Sequence, residues 1–368
     1  MLFHLAIKNL LGARLRTWLN VFVTSVSFFM IIFMSAMYDG MREHALQVSI
    51  DTEVAGGVYW HPEYDPTDPM TFEDAHAIPP DPIMKLVAQK LAVPVLVSQA
   101  SIYPNGRIMP VIIKGIPSGQ TIVNMPTSAL SNGNGTAIPV MIGMGMAKDT
   151  KLELGDSFTI RWLDANRTYD ADEGTIVHIM ETENFKLDMG HIWIPLEKAQ
   201  SMLEMKNEAT YVTFANGVPL LNDTGNWIHR DVHYLIRDME AMIKADEPNA
   251  AIMYIILLTL AAMGIFNAQV LSIFRRGKEI GTLMALGMTR AKVVALFTLE
   301  GGLNAVLASI MTAIFFGPVL WYFGVYGINM GIDYSEGQMG LIIAKRLIPV
   351  YSVGLVLTTT LIVSFIVL

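Results

Sequence analysis

Apolar residues crowd the two ends of the chain, and between them hydrophobic and polar positions alternate as in a water-soluble domain. From Trp18 to Met37 only Asn20 and small hydroxyl residues interrupt the apolar run. About 20 such residues in a helix cross a bilayer while satisfying their own backbone groups. Ala250 to Phe274 reads as a second span, and Val293 to Val325 as a third that is long enough to tilt or to begin in the interface. Leu347 to Leu368 reads as a fourth; no polar residue follows it, which leaves open a cytoplasmic tail beyond. Ahead of the first span, Leu2, Phe3, Ala6, Ile7, Leu10 and Leu11 recur at helical spacing beside Lys8, Arg14 and Arg16. That spacing predicts an amphipathic interfacial helix over residues 1–16. A cleaved leader fits worse, because the apolar run is too long and Met34-Ser35-Ala36 is a poor cleavage site.

The expected fold is therefore a membrane α-helical protein with four transmembrane helices and a large α+β extracytoplasmic domain inserted between the first and second. Its segments are a first span over 17–42, the domain over 43–248, a second span over 249–274, a cytoplasmic segment over 275–292, a third span over 293–326, an outer loop over 327–345 and a last span over 346–368. Orientation follows from positive charge in the short loops. Lys8, Arg14 and Arg16 precede the first span, and Arg275, Arg276, Lys278, Arg290 and Lys292 lie between the second and third, so both groups belong in the cytoplasm. Lys345 and Arg346 run against that rule, with Asp333 and Glu336 partly balancing them.

Within the domain, Pro94–Tyr103 and Arg107–Gly115 read as a hairpin closed by Asn105-Gly106. Asp81-Pro82 predicts a helix to Leu91 with Asp81 as its N-cap. Ser157–Leu163 and Thr175–Met180 read as paired strands around a solvated acidic turn, Asp164–Glu173. Ile192–Ile194 and Ala209–Phe214 are further strands, Pro195–Met205 a helix started by proline, and Trp227–Ala245 a helix feeding the second span. The proline-rich segment 61–82 and residues 131–135 read as loops.

Composition agrees with a membrane protein. The 368 residues are 52% hydrophobic and 16% charged, where a soluble domain carries about 25% charge. A net charge of −8 with no basic stripe gives no reason to expect nucleic acid. Cysteine is absent, so neither a disulfide framework nor a thiolate metal site is available. The 25 methionines read first as flexible filler in apolar helices and second as a surface that adapts to acyl chains.

Catalytic motifs are sparse. There is no G-x-x-x-x-G-K-[ST], so ATP phosphates have no cradle on this chain. Gly143–Lys148 carries a fragment of a dinucleotide fingerprint, without an acidic partner, and reads as a strand-to-helix turn. His229 and His233 stand four apart on an expected helix and could share a zinc, yet no third ligand is near. No nucleophile–base pair stands out, which predicts a non-catalytic subunit with no cofactor and no metal of its own.

The informative stretch runs from Arg275 to Arg290 as Arg-Arg-Gly-Lys-Glu-Ile-Gly-Thr-Leu-Met-Ala-Leu-Gly-Met-Thr-Arg, with Glu300-Gly301 following. A short helix here could dock on a cytoplasmic partner and move both attached spans, or it could be a charged loop that only fixes topology. The stretch resembles the "R-K-x-E-I-G-x-L-x-A-L-G-x-[ST]-R … E-G" signature of the FtsX/MacB/LolC–LolE superfamily of ABC permeases. Gly143–Ile160, with Ala147 and Leu154-Gly155-Asp156, is similar to that family's "G-x-x-[LM]-A … L-G-D-x-[FV]" element, and Ala6–Arg16 with Thr17 to its N-terminal opening.

The resemblance implies a bacterial inner-membrane permease, paired with a second copy or a paralogue, over a dimer of ABC ATPases that bind the ATP. Its coupling contact would comprise Glu279, Ile280, Gly281, Leu283, Ala285, Leu286, Gly287 and Arg290. The chain lacks the ATPase domain usual in MacB-type subunits, and its domain is larger than is usual in FtsX-type proteins. The layout is closest to lipoprotein-releasing permeases, which implies extraction of acylated lipoproteins and transfer to a periplasmic carrier. A cleft between the first and second spans would use Phe29, Met30, Phe33, Met263 and Phe266 against membrane lipid or acyl chains, with Glu300 as a suspect ionisable group. Drug or peptide efflux, and mechanical regulation of an envelope enzyme, are the alternative functions.

Overall fold

A computed structural model describes residues 14–132, 137–329 and 346–367. The chain forms two compact units, one of apolar helices and one built on a sheet, with unit boundaries at 44/45 and 241/242. The expected interfacial helix over residues 1–16 lies almost wholly outside the described residues, as does most of the outer loop 327–345.

The sheet unit holds β1 (Val58–Trp60), α2 (Asp81–Ala88), β2 (Ala92–Tyr103), β3 (Met109–Ile116), β4 (Ile138–Gly143), α3 (Met144–Thr150), β5 (Ser157–Leu163), β6 (Tyr169–Met180), α4 (Phe185–Asp188), β7 (His191–Pro195), α5 (Leu196–Met202), β8 (Tyr211–Phe214) and β9 (Ile228–Arg230). Strand order is β3-β7-β4-β6-β5-β2-β8-β1-β9, and β3 also pairs with β2, so β2, β3, β7, β4, β6 and β5 close into a ring. Alternation fills its interior. Along β5, Phe158, Ile160 and Trp162 are buried while Ser157, Thr159 and Arg161 are exposed. They join Ile102, Ile113, Val140, Ile142, Ile192 and Ile194 in one core. Beyond the ring, Tyr59, Ile83, Val212, Phe214 and Trp227 form a second core on the β8-β1-β9 extension.

Local chemistry accounts for the turns. In the β2–β3 connection the Arg107 amide donates to the Pro104 carbonyl at 3.0 Å. Asn105 and Gly106 both take positive φ, 51° and 78°, the pairing a tight hairpin turn requires. Gly143 and Met144 turn β4 into α3, as expected of that glycine-rich fragment.

Other expectations need correction. Pro80 is the cap of α2 and Asp81 its first helical residue, and the helix ends at Ala88. Tyr169–Glu173 is not a turn but the outer half of β6, paired with β5 from Leu163↔Tyr169 inward. Trp227–Arg230 is not helical, because Ile228–Arg230 pairs antiparallel with Trp60–Val58 and ties this segment to a strand far away in sequence. His229 thus lies on a strand, its ring against Tyr59 and Phe214, while His233 stands on the helix that follows. The common helical face that a shared zinc required does not exist.

α1 (Arg14–Ser49) runs on as a π-helix, Ile50–Val54, past the expected end of the first span at 42. That extension carries a charge into the sheet unit. Glu53 Oε1 lies 3.3 Å from Lys114 Nζ on β3, and Lys114 also stands 4.9 Å over the Trp193 ring. Asn184 donates to Thr52 at 3.0 Å beside them.

The helical unit also contains α6 (Val232–Arg275) from residue 242 onward, α7 (Gly277–Ala285), α8 (Arg290–Met311), α9 (Gly317–Tyr326) and α10 (Val353–Val367), with a short ribbon of β10 (Ile328–Asn329) and β11 (Arg346–Leu347). Among the described residues, three helical stretches are long and apolar enough to span a membrane: Trp18–Val54, Val232–Arg275 and Arg290–Tyr326. α6 passes through Pro248 without ending, so no helix boundary marks the expected 248/249 junction. The third stretch carries a π-helical turn, Thr312–Phe316, immediately before Gly317-Pro318. Proline has no N–H to donate back along the helix, so the ladder must adjust ahead of it. Within the apolar segment expected as a fourth span, α10 covers 15 residues, about 22 Å of a hydrocarbon layer about 30 Å thick. Pro349 explains the late start, since the residue before a proline is pushed to extended backbone. The non-helical lead-in packs on α1 instead: Val350 donates to the Ala36 carbonyl at 2.9 Å. A Cβ on Gly40 would sit 2.2 Å from the Ile348 carbonyl oxygen, so only glycine admits this approach.

Candidate coupling helix and its buried ion pair

α7 is a separate nine-residue helix between the second and third candidate spans. Arg276 breaks the run: it has φ −97° and ψ 11° and caps α7 after α6 ends at Arg275. The far end of α7 closes with paired backbone bonds, Met288 N to Leu283 O and Gly287 N to Met284 O, both 3.1 Å. This 6→1 and 5→2 pattern needs a residue with positive φ just past the helix, and Gly287 supplies it at φ 90°. Thr289 then starts α8, with its carbonyl accepting from Val293 at 3.1 Å. The Ala-Leu-Gly-Met-Thr string is thus a corner between two helices.

One surface of α7 is made of small residues. Gly277, Gly281 and Ala285 recur every four positions and are all exposed, and a Cβ built on either glycine would meet nothing within 4 Å. Apolar side chains flank this stripe, Phe274 being 79% and Leu286 80% exposed. Ile280, Leu283 and Met288 are half-buried on the other side, while Glu279 and Arg290 face solvent. The structure therefore gathers all eight residues of the expected contact on one short element and its corner. Their exposed subset is Glu279, Gly281, Ala285, Leu286, Gly287 and Arg290.

Beneath α7 lies a feature the sequence pattern did not single out. Arg276, counted there only as a topogenic charge, is 8% exposed and donates through Nη1 to Glu300 on α8, itself 8% exposed. Its Nε donates to Glu279 Oε2 at 2.7 Å, and its guanidinium stands 5.2 Å from the Phe297 ring centroid. Burial works against this charge, but the hydrogen bonds to Glu279 and Glu300 outweigh it and raise the guanidinium pKa. The available signal was Glu300 itself, a lone carboxylate in an apolar run that required a partner.

The expected cleft residues do not come together. Phe29 stacks on Phe316 with centroids 4.7 Å apart, and Phe33 meets Phe323 at 5.6 Å, so both turn towards the third candidate span. Met30 is partly exposed, Met263 and Phe266 are 63% and 66% exposed on α6, and Glu300 is engaged with Arg276. Val21, Phe28, Ile31, Ile265, Ala305, Ala308 and Val363 form the helical core instead. A buried polar contact crosses it, Ser25 Oγ to Thr312 Oγ1 at 2.9 Å.

Residues 251–368 match the model of the FtsX-like permease C-terminal domain, a stretch that includes α7 and the Arg276–Glu300 pair. The chain is similar to the lipoprotein-releasing system transmembrane protein LolC of Neisseria meningitidis serogroup B. The identity is 23% over 309 residues, which make up 73% of this chain and 74% of that protein. Among solved structures, the extracellular domain of the noncanonic ABC-type transporter YknZ from Gram-positive bacteria matches over 50% of this chain and 94% of its own, at 14% identity and a TM-score of 0.30.

Proposed function

The chain belongs to the superfamily of FtsX-like and LolC-type ABC transporter permeases, and from that premise we propose that it couples ATP hydrolysed by a separate ATPase to the extraction of lipoproteins from the bacterial inner membrane. The observation that carries the coupling half is α7. A short helix joins two membrane-length helices and turns a small-residue stripe, edged by Phe274 and Leu286, to solvent. Close approach of a partner's backbone needs such a surface, and an exposed apolar rim needs a cover.

In this reading the ATPase seats on Gly277, Gly281 and Ala285, with Glu279 and Arg290 as polar contacts at the edge. The sheet unit lies outside the cytoplasmic membrane and moves with the nucleotide cycle, and a second permease covers the bare surface of α6. The similarity to LolC supports lipoprotein as the cargo. Acyl chains would then pass beside α6, whose exposed Met263 and Phe266 are suited to lipid contact.

Gly281→Leu tests the docking surface. The added side chain enters open space and replaces a helix-interior glycine, which favours folding by roughly 0.5–1 kcal/mol. The variant should insert and fold normally yet retain no ATPase on purification from native membranes; normal ATPase retention would sink the docking assignment. Depletion of the protein tests the cargo. Lipoproteins should accumulate in the inner membrane, whereas drug sensitivity with normal lipoprotein sorting would move the function to efflux.

A further inference from the structure

Of the five cations from Arg275 to Lys292, Arg275, Lys278, Arg290 and Lys292 are exposed and Arg276 is buried. A charge needed only for topology has no reason to leave water. We propose that Arg276 is a positioning residue that makes α7 and α8 move together, so that displacement of α7 by a docked ATPase reaches the third span through Glu300. The proposal rests on the coupling reading above.

The connections of Arg276 support this role from both its backbone and its side chain. Its amide donates to the Ile273 carbonyl at 3.0 Å, and its carbonyl accepts from the Ile280 amide at 3.0 Å, so it is bonded into the end of α6 and the start of α7 at once. Its side chain then leaves both helices. Nη1 reaches Glu300, and the guanidinium lies against Phe297, one turn earlier on the same face of α8. Both members of the pair are withdrawn from solvent. Separating them would leave two charges in a medium that screens poorly, so α7 cannot shift without either carrying Glu300 along or breaking the pair. Glu279 is different: its carboxylate shares the same guanidinium through Nε but is largely exposed. A partner docking on α7 thus meets a carboxylate one hydrogen bond away from the buried pair.

The corner at Gly287 is a backbone connection between the same two helices, and the ion pair is a second connection through side chains. Two separate links between α7 and α8 make the pair a rigid bracket. A variant lacking the side-chain link keeps the helices and the corner but lets α7 pivot about Gly287.

The test uses the complex purified with its ATPase from native membranes. The chain has no cysteine, so Leu154→Cys, an exposed position in the sheet unit, is its one site for a thiol-reactive fluorophore, and the ATP-dependent change is read against the same complex without that substitution. In Arg276→Gln, ATPase retention and basal hydrolysis should stay within about twofold of the parent, while the ATP-dependent fluorescence change falls at least about fivefold. The exchange Arg276→Glu with Glu300→Arg should restore half or more of the signal, and Arg276→Lys, which keeps the charge without the planar fork, should give an intermediate response. A full fluorescence response in Arg276→Gln overturns the proposal. So does loss of ATPase retention in both Arg276→Gln and the exchange, which would make the pair a folding element. A parent chain that purifies without any ATPase would overturn the coupling reading itself, before any variant is made.

Discussion

His191, at the start of β7, is held with Nδ1 2.9 Å from the Met189 carbonyl oxygen, beside the Lys114–Glu53 pair. Burial, reinforced by the Lys114 charge, pushes its pKa down to about 4. The unfolded chain takes up this proton near pH 6.5 and the folded chain only near pH 4, so stability falls as the pH drops through that window and levels below it. The cost is roughly 3 kcal/mol at most. Tryptophan-fluorescence melts of the full chain in detergent should therefore show a midpoint that declines from pH 6.5 to 4, with a shallower decline in His191→Phe; equal slopes in the two proteins would mean that this ring is solvated. Gly287 sets a second residue-scale expectation. Its φ of 90° is strained for any side chain although the space around it is open, so Gly287→Ala should cost about 1 kcal/mol through backbone strain alone. Hydrogen exchange at the Met288 amide should rise roughly fivefold, and an unchanged rate would show that the corner is not held by its paired bonds.

At the scale of elements, what the sequence made legible depended on where the deciding partner lay. Ser157–Leu163 declares itself by strict alternation, because each side chain's surroundings are set by its own strand. Ile228–Arg230 does not, since what makes it a strand is β1, far away in sequence, and the local pattern runs smoothly into a helix. Arg276 was hidden for a similar reason: counting charges in a loop gives orientation, but its burial comes from Glu300, 24 positions further on. The π-helical turn at Thr312–Phe316 shows the limit of hydropathy, which sees an unbroken apolar run and not the missing N–H of Pro318. That turn places Thr312 Oγ1 against Ser25 in the helical core, with a further bond to the Ala308 carbonyl at 2.8 Å. Thr312→Val should lower the thermal stability of the detergent-solubilised chain by about 0.5–1 kcal/mol, with Thr312→Ser close to neutral. A stable valine variant would show that the hydroxyl pair contributes nothing beyond its packing.

For the whole molecule, the orientation inferred from loop charge has a direct check. With impermeant maleimide on intact cells, Leu154→Cys in the sheet unit should label and Leu286→Cys on α7 should not, whereas permeabilised cells should label both; both side chains are exposed. Labelling of Leu286→Cys from outside would invert the topology. The three membrane-length apolar stretches were readable from hydropathy along the chain, and so was a mixed unit of strands and helices. Closure of its sheet was not, because the pairings of β2 with β5 and β8 and of β3 with β7 depend on long-range register. That closure has a mechanical corollary. An open sheet under tension can be peeled, one ladder giving way at its edge before the next is loaded. In a ring every strand is gripped on both flanks, so distortion must shear two ladders together, and β2 carries a third neighbour besides. A pull on such a body displaces it whole, and whatever is attached to its rim travels the full distance.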